Sequence, residues 1–328
     1  MAARALASAQ ATGSRIAIAI DLGGTSLRVA LVDDAGRNLA RVDAPTDARA
    51  GPERIITQIE TLMTQLLASR PDLDPVGVGM SAPGPIDTVA GIASAVPTLA
   101  GFEGFPLRQT LQARLGRPVS LEGDGIAAAI GEWRFGAGRG FENLVYVTVS
   151  TGIGGGVIAD GRVLRGRKGM AGHVGHMSVD PDGPLCPCGN RGCLEALGSG
   201  TALTTRAREL AAGDAHTVLG RGGEVIDSRA IFAAGRQQDS TANAVIDEVA
   251  NALGRGFVNL IHLYSPDVVV MGGGLSEEFG RLAPLIEARI ASDALVAFRD
   301  VRLVRAALGQ NSGLAGAAAL AFGPASAG

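Results

Sequence analysis

The sequence predicts an α/β protein built from two related lobes that face a cleft. Three observations lead there. A unit of strand, glycine turn, strand and Asp-containing turn occurs at 16–36 and again at 143–161, which reads as an internal duplication. Amphipathic helical patterns separate the strand runs, as expected where helices cover sheets. Glycine supplies 48 of the 328 residues without a collagen-like period, so the excess belongs to turns and close-approach loops. Two widely spaced copies are too few for a solenoid.

The elements follow in order. Residues 15–21 read as a buried strand, break at Leu22-Gly23-Gly24-Thr25 and resume over 27–32. A turn at Asp33-Asp34-Ala35-Gly36 leads into a third strand. Residues 53–69 place Ile55, Ile56, Ile59, Leu62, Met63, Leu66 and Leu67 at helical spacing, and Arg70-Pro71 ends the helix. Residues 76–80 form a short buried strand that enters Ser81-Ala82-Pro83-Gly84-Pro85. The apolar run 119–121 passes through Gly123-Asp124 into a helix over 126–133. In the second copy 143–150 is a strand, 151–155 a glycine break, 156–159 the return strand and Asp160-Gly161 the next turn. Helices cover 202–212 and 240–263, and a strand over 267–271 runs into Gly272-Gly273-Gly274. An Ala-rich helix over 311–322 closes the chain.

Composition excludes several functions. With 29 Lys and Arg against 32 Asp and Glu, there is no basic excess for nucleic acid and no polybasic run for a membrane surface. No apolar stretch reaches the roughly 18 residues of a membrane span. Residues 1–14 lack the continuous apolar core of a signal peptide and are expected to be a disordered tail. The single lysine, Lys168, stands outside any Gly-Lys-Ser/Thr sequence, which rules out a Walker loop. A nucleotide would therefore be held mainly by backbone N–H groups.

Gly23-Gly24-Thr25 and Thr151-Gly152-Ile153-Gly154-Gly155 each follow a strand and open a hairpin. Glycines there let backbone N–H groups nest around phosphate oxygens, with Thr hydroxyls as further donors. Asp21 precedes the first turn, placed to hold a water or Mg²⁺ beside those phosphates. His176, Cys186, Cys188 and Cys193 form H-x9-C-x-C-x4-C. Three thiolates and an imidazole suit a closed tetrahedral Zn²⁺, whose role is then structural. An odd, clustered set of cysteines argues against a disulfide framework and for a reducing, cytoplasmic setting. His216 and His262 have no such company and are expected at the surface or in packing.

Together these motifs resemble the actin-like sugar kinases. Asp21-Leu-Gly-Gly-Thr25 resembles their first phosphate motif, Ser150-Thr-Gly-Ile-Gly-Gly-Gly156 their second, and Met271-Gly-Gly-Gly274 their adenosine turn. Gly172-His-Val-Gly-His176 followed by the cysteine cluster resembles the signature of one branch, the ROK family of sugar kinases and sugar-responsive repressors. The resemblance spans about 15–323. It implies a two-lobed, duplicated actin-like and ribonuclease-H-like sugar kinase fold with a central cleft and a structural zinc loop at 172–193. Residues 15–123 plus 311–323 would form a small lobe and 124–310 a larger one. It also implies ATP and Mg²⁺ as cofactors, a small sugar as substrate and a homodimer. Nucleotide contacts would come from Asp21, Gly23, Gly24, Thr25, Thr151, Gly152, Gly154, Gly272, Gly273 and Gly274.

Read alone, Asp124 at a strand-to-helix junction is a helix N-cap. The resemblance makes it the catalytic base that accepts the proton of a sugar C6 hydroxyl. Glu122 ranks below it, because strand alternation turns it to the opposite face from Gly123. Gly84, Thr98, His173 and His176 are the expected sugar contacts. Three positions depart from the family pattern. Gly123 replaces an Asn, Thr98 replaces an Asn before the Leu-x-Gly loop, and His173 replaces the Glu of Glu-x-Gly-His. A neutral histidine offers one donor and one acceptor, which suits a C2 acetamido group better than two hydroxyls. Bacterial N-acetylmannosamine kinases of this family resemble the chain here, so the best expectation is N-acetylmannosamine, with glucose as the alternative. The other class is a sugar-responsive regulator without kinase activity. It would need a helix-turn-helix ahead of the core, where only about 15 residues stand.

Overall fold

The structure, a computed structural model, describes residues 14–94 and 96–323. The expected tail lies outside the described residues except for Ser14, whose Oγ donates to Asp34 Oδ1 at 2.8 Å. β1 (Ile16–Leu22), β2 (Ser26–Asp33) and β3 (Asn38–Pro45) form an antiparallel meander. Helix α1 (Pro52–Ser69) returns the chain so that β4 (Val78–Ala82) joins β1 in parallel. A small hairpin of β5 (Ile86–Asp87) and β6 (Ile92–Ala93) and helix α2 (Leu107–Leu115) precede β7 (Val119–Gly123), which lies parallel to β4. Helix α3 (Asp124–Phe135) then crosses to the second half.

The second half repeats the plan. β8 (Leu144–Val149), β9 (Ile153–Ala159) and β10 (Arg162–Val163) form the meander. Helices α4 (Leu194–Gly198), α5 (Gly200–Gly213), α6 (Ser228–Arg236) and α7 (Ser240–Tyr264) lead to β11 (Val268–Gly272), parallel to β8. Helix α8 (Phe279–Asp293), β12 (Arg302–Arg305) and α9 (Ser312–Ala321) complete it. The two sheets have orders β3-β2-β1-β4-β7 and β10-β9-β8-β11-β12, the same topology strand for strand. The duplication read from two glycine hairpins is therefore a duplication of whole sheets.

The Ile-Ala-Ile-Ala-Ile alternation of β1 explains the layers. Ile16, Ile18 and Ile20 pack with Ile55, Ile56 and Ile59 of α1, while Ala17 and Ala19 on the other face pack with Leu314, Ala317 and Ala318 of α9. Small side chains let α9 come close. A Cβ on Gly79 of β4 would fall 1.7 Å from the Ala317 carbonyl oxygen. One on Gly316 of α9 would fall 1.7 Å from the Ala127 carbonyl oxygen of α3. The chain's last helix thus packs on the first sheet and on α3, whereas α3 packs on β8 and β9.

Several sequence expectations shift. The fourth strand starts at Val78, where pairing with Ile18 begins, and Val76 is left half exposed. The expected glycine break at 151–155 is a tight turn at 150–152. Gly154, Gly155 and Gly156 lie inside β9; α3 packs too closely for a side chain at Gly156, where a Cβ would be 2.7 Å from Ala129 Cβ, and one on Gly155 would meet the Tyr146 carbonyl oxygen and Val174. Helices α2, α6 and α8 and strand β12 had no counterpart in the sequence reading. Among the described residues, no helix is long and apolar enough to cross a membrane.

Candidate active site

Strand β7 ends in register with Ala82 of β4, which sets Gly123 and Asp124 at the carboxyl edge of the parallel strands β1, β4 and β7, the usual ligand side of such strands. Gly123 takes the cap position with φ −65° and ψ 147°. Asp124 is the first residue of α3 rather than its cap, and its Oδ1 accepts from the Gly125 N–H at 2.7 Å. Gly125 lets the helix start directly on β9, since a Cβ there would be 2.5 Å from the Gly155 carbonyl oxygen.

Asp124 opens into a cavity of about 380 Å³ that Gly84, Gly154 and His173 also line, with Ile86 and Ile126 as apolar wall. Its carboxyl is reached from the cleft but walled by protein elsewhere. That enclosure, with the Asp21 charge adding to it, raises its pKa above the ordinary 3.8. The would-be Cβ of Gly84 lies 3.9 Å from His173 Cε1, so loop and imidazole share one wall. Partial burial and the neighbouring His176 lower the His173 pKa, which leaves a neutral ring at pH 7. No atom stands within 4 Å of the position a Gly123 Cβ would take, so this wall is open where an Asn would project.

A second cavity of about 980 Å³ opens over Thr151 and Gly274. Its other walls are the first turns of α5 and α6, with Gly200, Thr201, Asp227, Arg229 and Phe232, none of which the sequence reading singled out. Gly272 ends β11 against Tyr146, and Gly273, at φ 81°, turns on the Val149 backbone. Gly152 is backed by Glu195, whose Oε2 accepts from the Ile153 N–H at 2.8 Å. Glu195 is a further residue missed in the sequence; its only signal was its place two residues after Cys193.

The first glycine turn is held apart from these cavities. The Gly23 carbonyl accepts from Thr46 Oγ1 at 2.7 Å, and Gly24 packs on Thr98, whose Cβ lies 2.9 Å from a would-be Gly24 Cβ. Thr98 thus sits under the first glycine turn and does not line the cavity of Asp124. Asp21 pairs with Arg28 at 3.1 Å. Burial nevertheless raises its pKa, against the pull of Ser81 and Arg28. Ser81 Oγ beside it is buried without a well-formed partner. A carboxylate and an unsatisfied hydroxyl at one spot suit a hydrated divalent cation.

His176, Cys186, Cys188 and Cys193 converge with their ligand atoms all within 4.8 Å of one another. Cys186 Sγ lies 3.7 Å from His176 Nδ1 and Cys188 Sγ 3.6 Å from Cys193 Sγ. A tetrahedral Zn²⁺ with bonds of about 2.3 Å separates its sulfurs by about 3.8 Å, so the donor set and spacing fit that ion. As a bare thiol Cys193 is pushed up to about 12 by burial and the adjacent sulfurs, a strain that a cation relieves. His173 stands beside this knot, its ring centroid 6.3 Å from that of His176. His262 packs edge-on to Phe298 and accepts from the Leu295 N–H, and His216 is exposed. Glu122 is buried on β7 and bound by Arg165, away from the cavity.

The ROK family model matches residues 17–323. The chain belongs to the ROK family. It is 36% identical over 309 residues to a glucokinase of Thermotoga maritima, covering 92% of this chain and 96% of that one. It is 35% identical over 307 residues to an N-acetylmannosamine kinase of Escherichia coli, covering 93% and 98%. Among solved structures it is similar to a ROK hexokinase from Thermus thermophilus, with a TM-score of 0.81, 34% identity and coverage of 94% and 98%. This ROK chain is a sugar kinase, an ATP-dependent phosphotransferase with an alcohol acceptor.

Proposed function

We propose that the protein transfers the γ-phosphoryl group of ATP to the C6 hydroxyl of an N-acylhexosamine, N-acetylmannosamine being the best candidate. The observation that carries this reading is the cavity shared by Asp124, Gly84 and His173. In it Asp124 accepts the hydroxyl proton and aims the oxygen; its raised pKa makes it a stronger base than an ordinary aspartate. His173, neutral, donates and accepts one hydrogen bond, matching an acetamido group. The open wall at Gly123, flanked by Ile86 and Ile126, leaves room for the acyl methyl. Asp21, Gly23, Gly24 and Thr25 would cradle phosphates from one side and Thr151, Gly152 and Gly154 from the other. Gly272, Gly273 and Gly274 would seat the adenosine at the second cavity.

A bound Mg²⁺ at Asp21 and Ser81 would neutralise charge developing on the phosphates. Zn²⁺ on His176, Cys186, Cys188 and Cys193 would fix the loop that carries His173. We place the lobe boundaries at 123/124 and near 311, where the chain crosses between sheets. A homodimer in the cytoplasm is the assembly the family resemblance supports.

Glucose is the second reading, favoured by the name of the Thermotoga relative. The two separate on kcat/KM across N-acetylmannosamine, N-acetylglucosamine, mannose and glucose. The proposal expects N-acetylmannosamine to lead; a strong preference for glucose overturns the roles given to His173 and Gly123.

A further inference from the structure

The segment from Arg165 to Gly172 belongs to the second half by sequence, following β10, yet it is fastened to the first half. Arg165 Nε donates to Glu122 Oε2 at 2.8 Å. The Thr88 N–H donates to the Lys168 carbonyl at 2.9 Å, and Lys168 Nζ lies 3.7 Å from Asp87 Oδ2. Gly169, at φ 72°, turns so closely over Thr88 that a Cβ would fall 1.7 Å from its Oγ1. The end of the segment, Gly169 to His173, forms the wall of the sugar cavity across from Asp124.

Glu122 is the costly part of this arrangement. It is 1% exposed, on a strand whose other buried side chains, Val119 and Leu121, are apolar, two residues before Asp124. A buried carboxylate of this kind gains little stability over an apolar side chain even when paired. What the pair does supply is register between the catalytic strand and the loop opposite. Arg165, half exposed, reaches in from solvent to meet it.

We propose that Glu122 and Arg165 are a positioning pair that locks the 165–173 loop onto the catalytic strand, holding the sugar side of the cleft in shape independently of the nucleotide side. The proposal rests on the assignment of that cavity to the sugar. It predicts a selective defect: losing the pair loosens the sugar wall and leaves the nucleotide cavity, lined by the turns after β8 and β11 and by α5 and α6, untouched.

Two measurements on the full chain test it. In steady-state kinetics with the best hexose, Arg165→Ala and Glu122→Leu each raise the hexose KM by about tenfold, with the ATP KM within about twofold of wild type. Arg165→Lys keeps most of the wild-type value. Glu122→Leu leaves no charge buried, so it reports even if Arg165→Ala folds poorly through its unpaired carboxylate. Parallel rises in both KM values, or an unchanged hexose KM, overturn the pair's role. Tryptic cleavage after Arg165, Arg167 and Lys168 gives a readout that needs no activity. It accelerates severalfold in Glu122→Leu if the loop is locked, and an unchanged rate overturns the lock even if the sugar assignment fails.

Discussion

Asp124 combines two properties that oppose each other. As the proposed base it must ionise to accept a proton, and its surroundings resist ionisation, because enclosure and the Asp21 charge raise its pKa. The folded state therefore holds a proton that the unfolded chain has released. Stability from this group is greatest below pH 3.8 and falls as pH rises to the higher folded value. Above that window the penalty is complete. Asp124→Asn removes it, so at pH 7 the variant should melt above wild type in differential scanning calorimetry, with the difference shrinking toward pH 3.8. The same shift places the acid limb of wild-type kcat above 3.8. A limb at or below that value would contradict the enclosure. For His173, replacement by Glu restores the more common family residue, and the proposal expects relative kcat/KM to move toward glucose.

At the scale of elements, helix α9 and the zinc loop give the clearest tests. A helical Gly→Ala change ordinarily stabilises by about 1 kcal/mol. At Gly316 the sign reverses, because the added methyl meets the α3 backbone. Gly316→Ala should destabilise by about 1–3 kcal/mol in urea denaturation. Cys193→Ser removes a proposed zinc ligand from a buried position. Metal analysis should find one zinc per wild-type chain and none in the variant, with a lower melting temperature and a higher hexose KM. An active wild-type protein free of zinc would contradict the assignment. The cysteine knot was legible because ligand chemistry restricts spacing; α6 was not, although Asp227 caps it through the Ala230 N–H. Helix α6 is amphipathic, but its nine residues bury only Ile231, Phe232, Ala234 and Gly235, too short a run to stand out. Helix α8 contains Pro284, a residue type that ordinarily breaks a helix, and tolerates it within a helix supported by α7.

Across the whole molecule the duplication organises both fold and site. Alternating Ile and Ala in β1, and the glycine turns after the first strand of each half, made the sheets readable, because period and turn chemistry are local. The exchange of α3 and α9 between halves was not, since it depends on contacts between residues some 190 positions apart, such as Ala127 and Gly316. The same limit hid Thr98 beneath Gly24 and the Arg165 contact with Glu122. It also disguised Gly155, which read as a turn glycine and packs inside β9 against the Tyr146 backbone and Val174. The measurement that bears most directly on the function is ATP-dependent formation of hexose 6-phosphate by wild type and Asp124→Asn at equal, confirmed ATP binding. The account predicts product from wild type and a loss of about 10²–10⁴-fold in the variant. Turnover by Asp124→Asn within tenfold of wild type would contradict it.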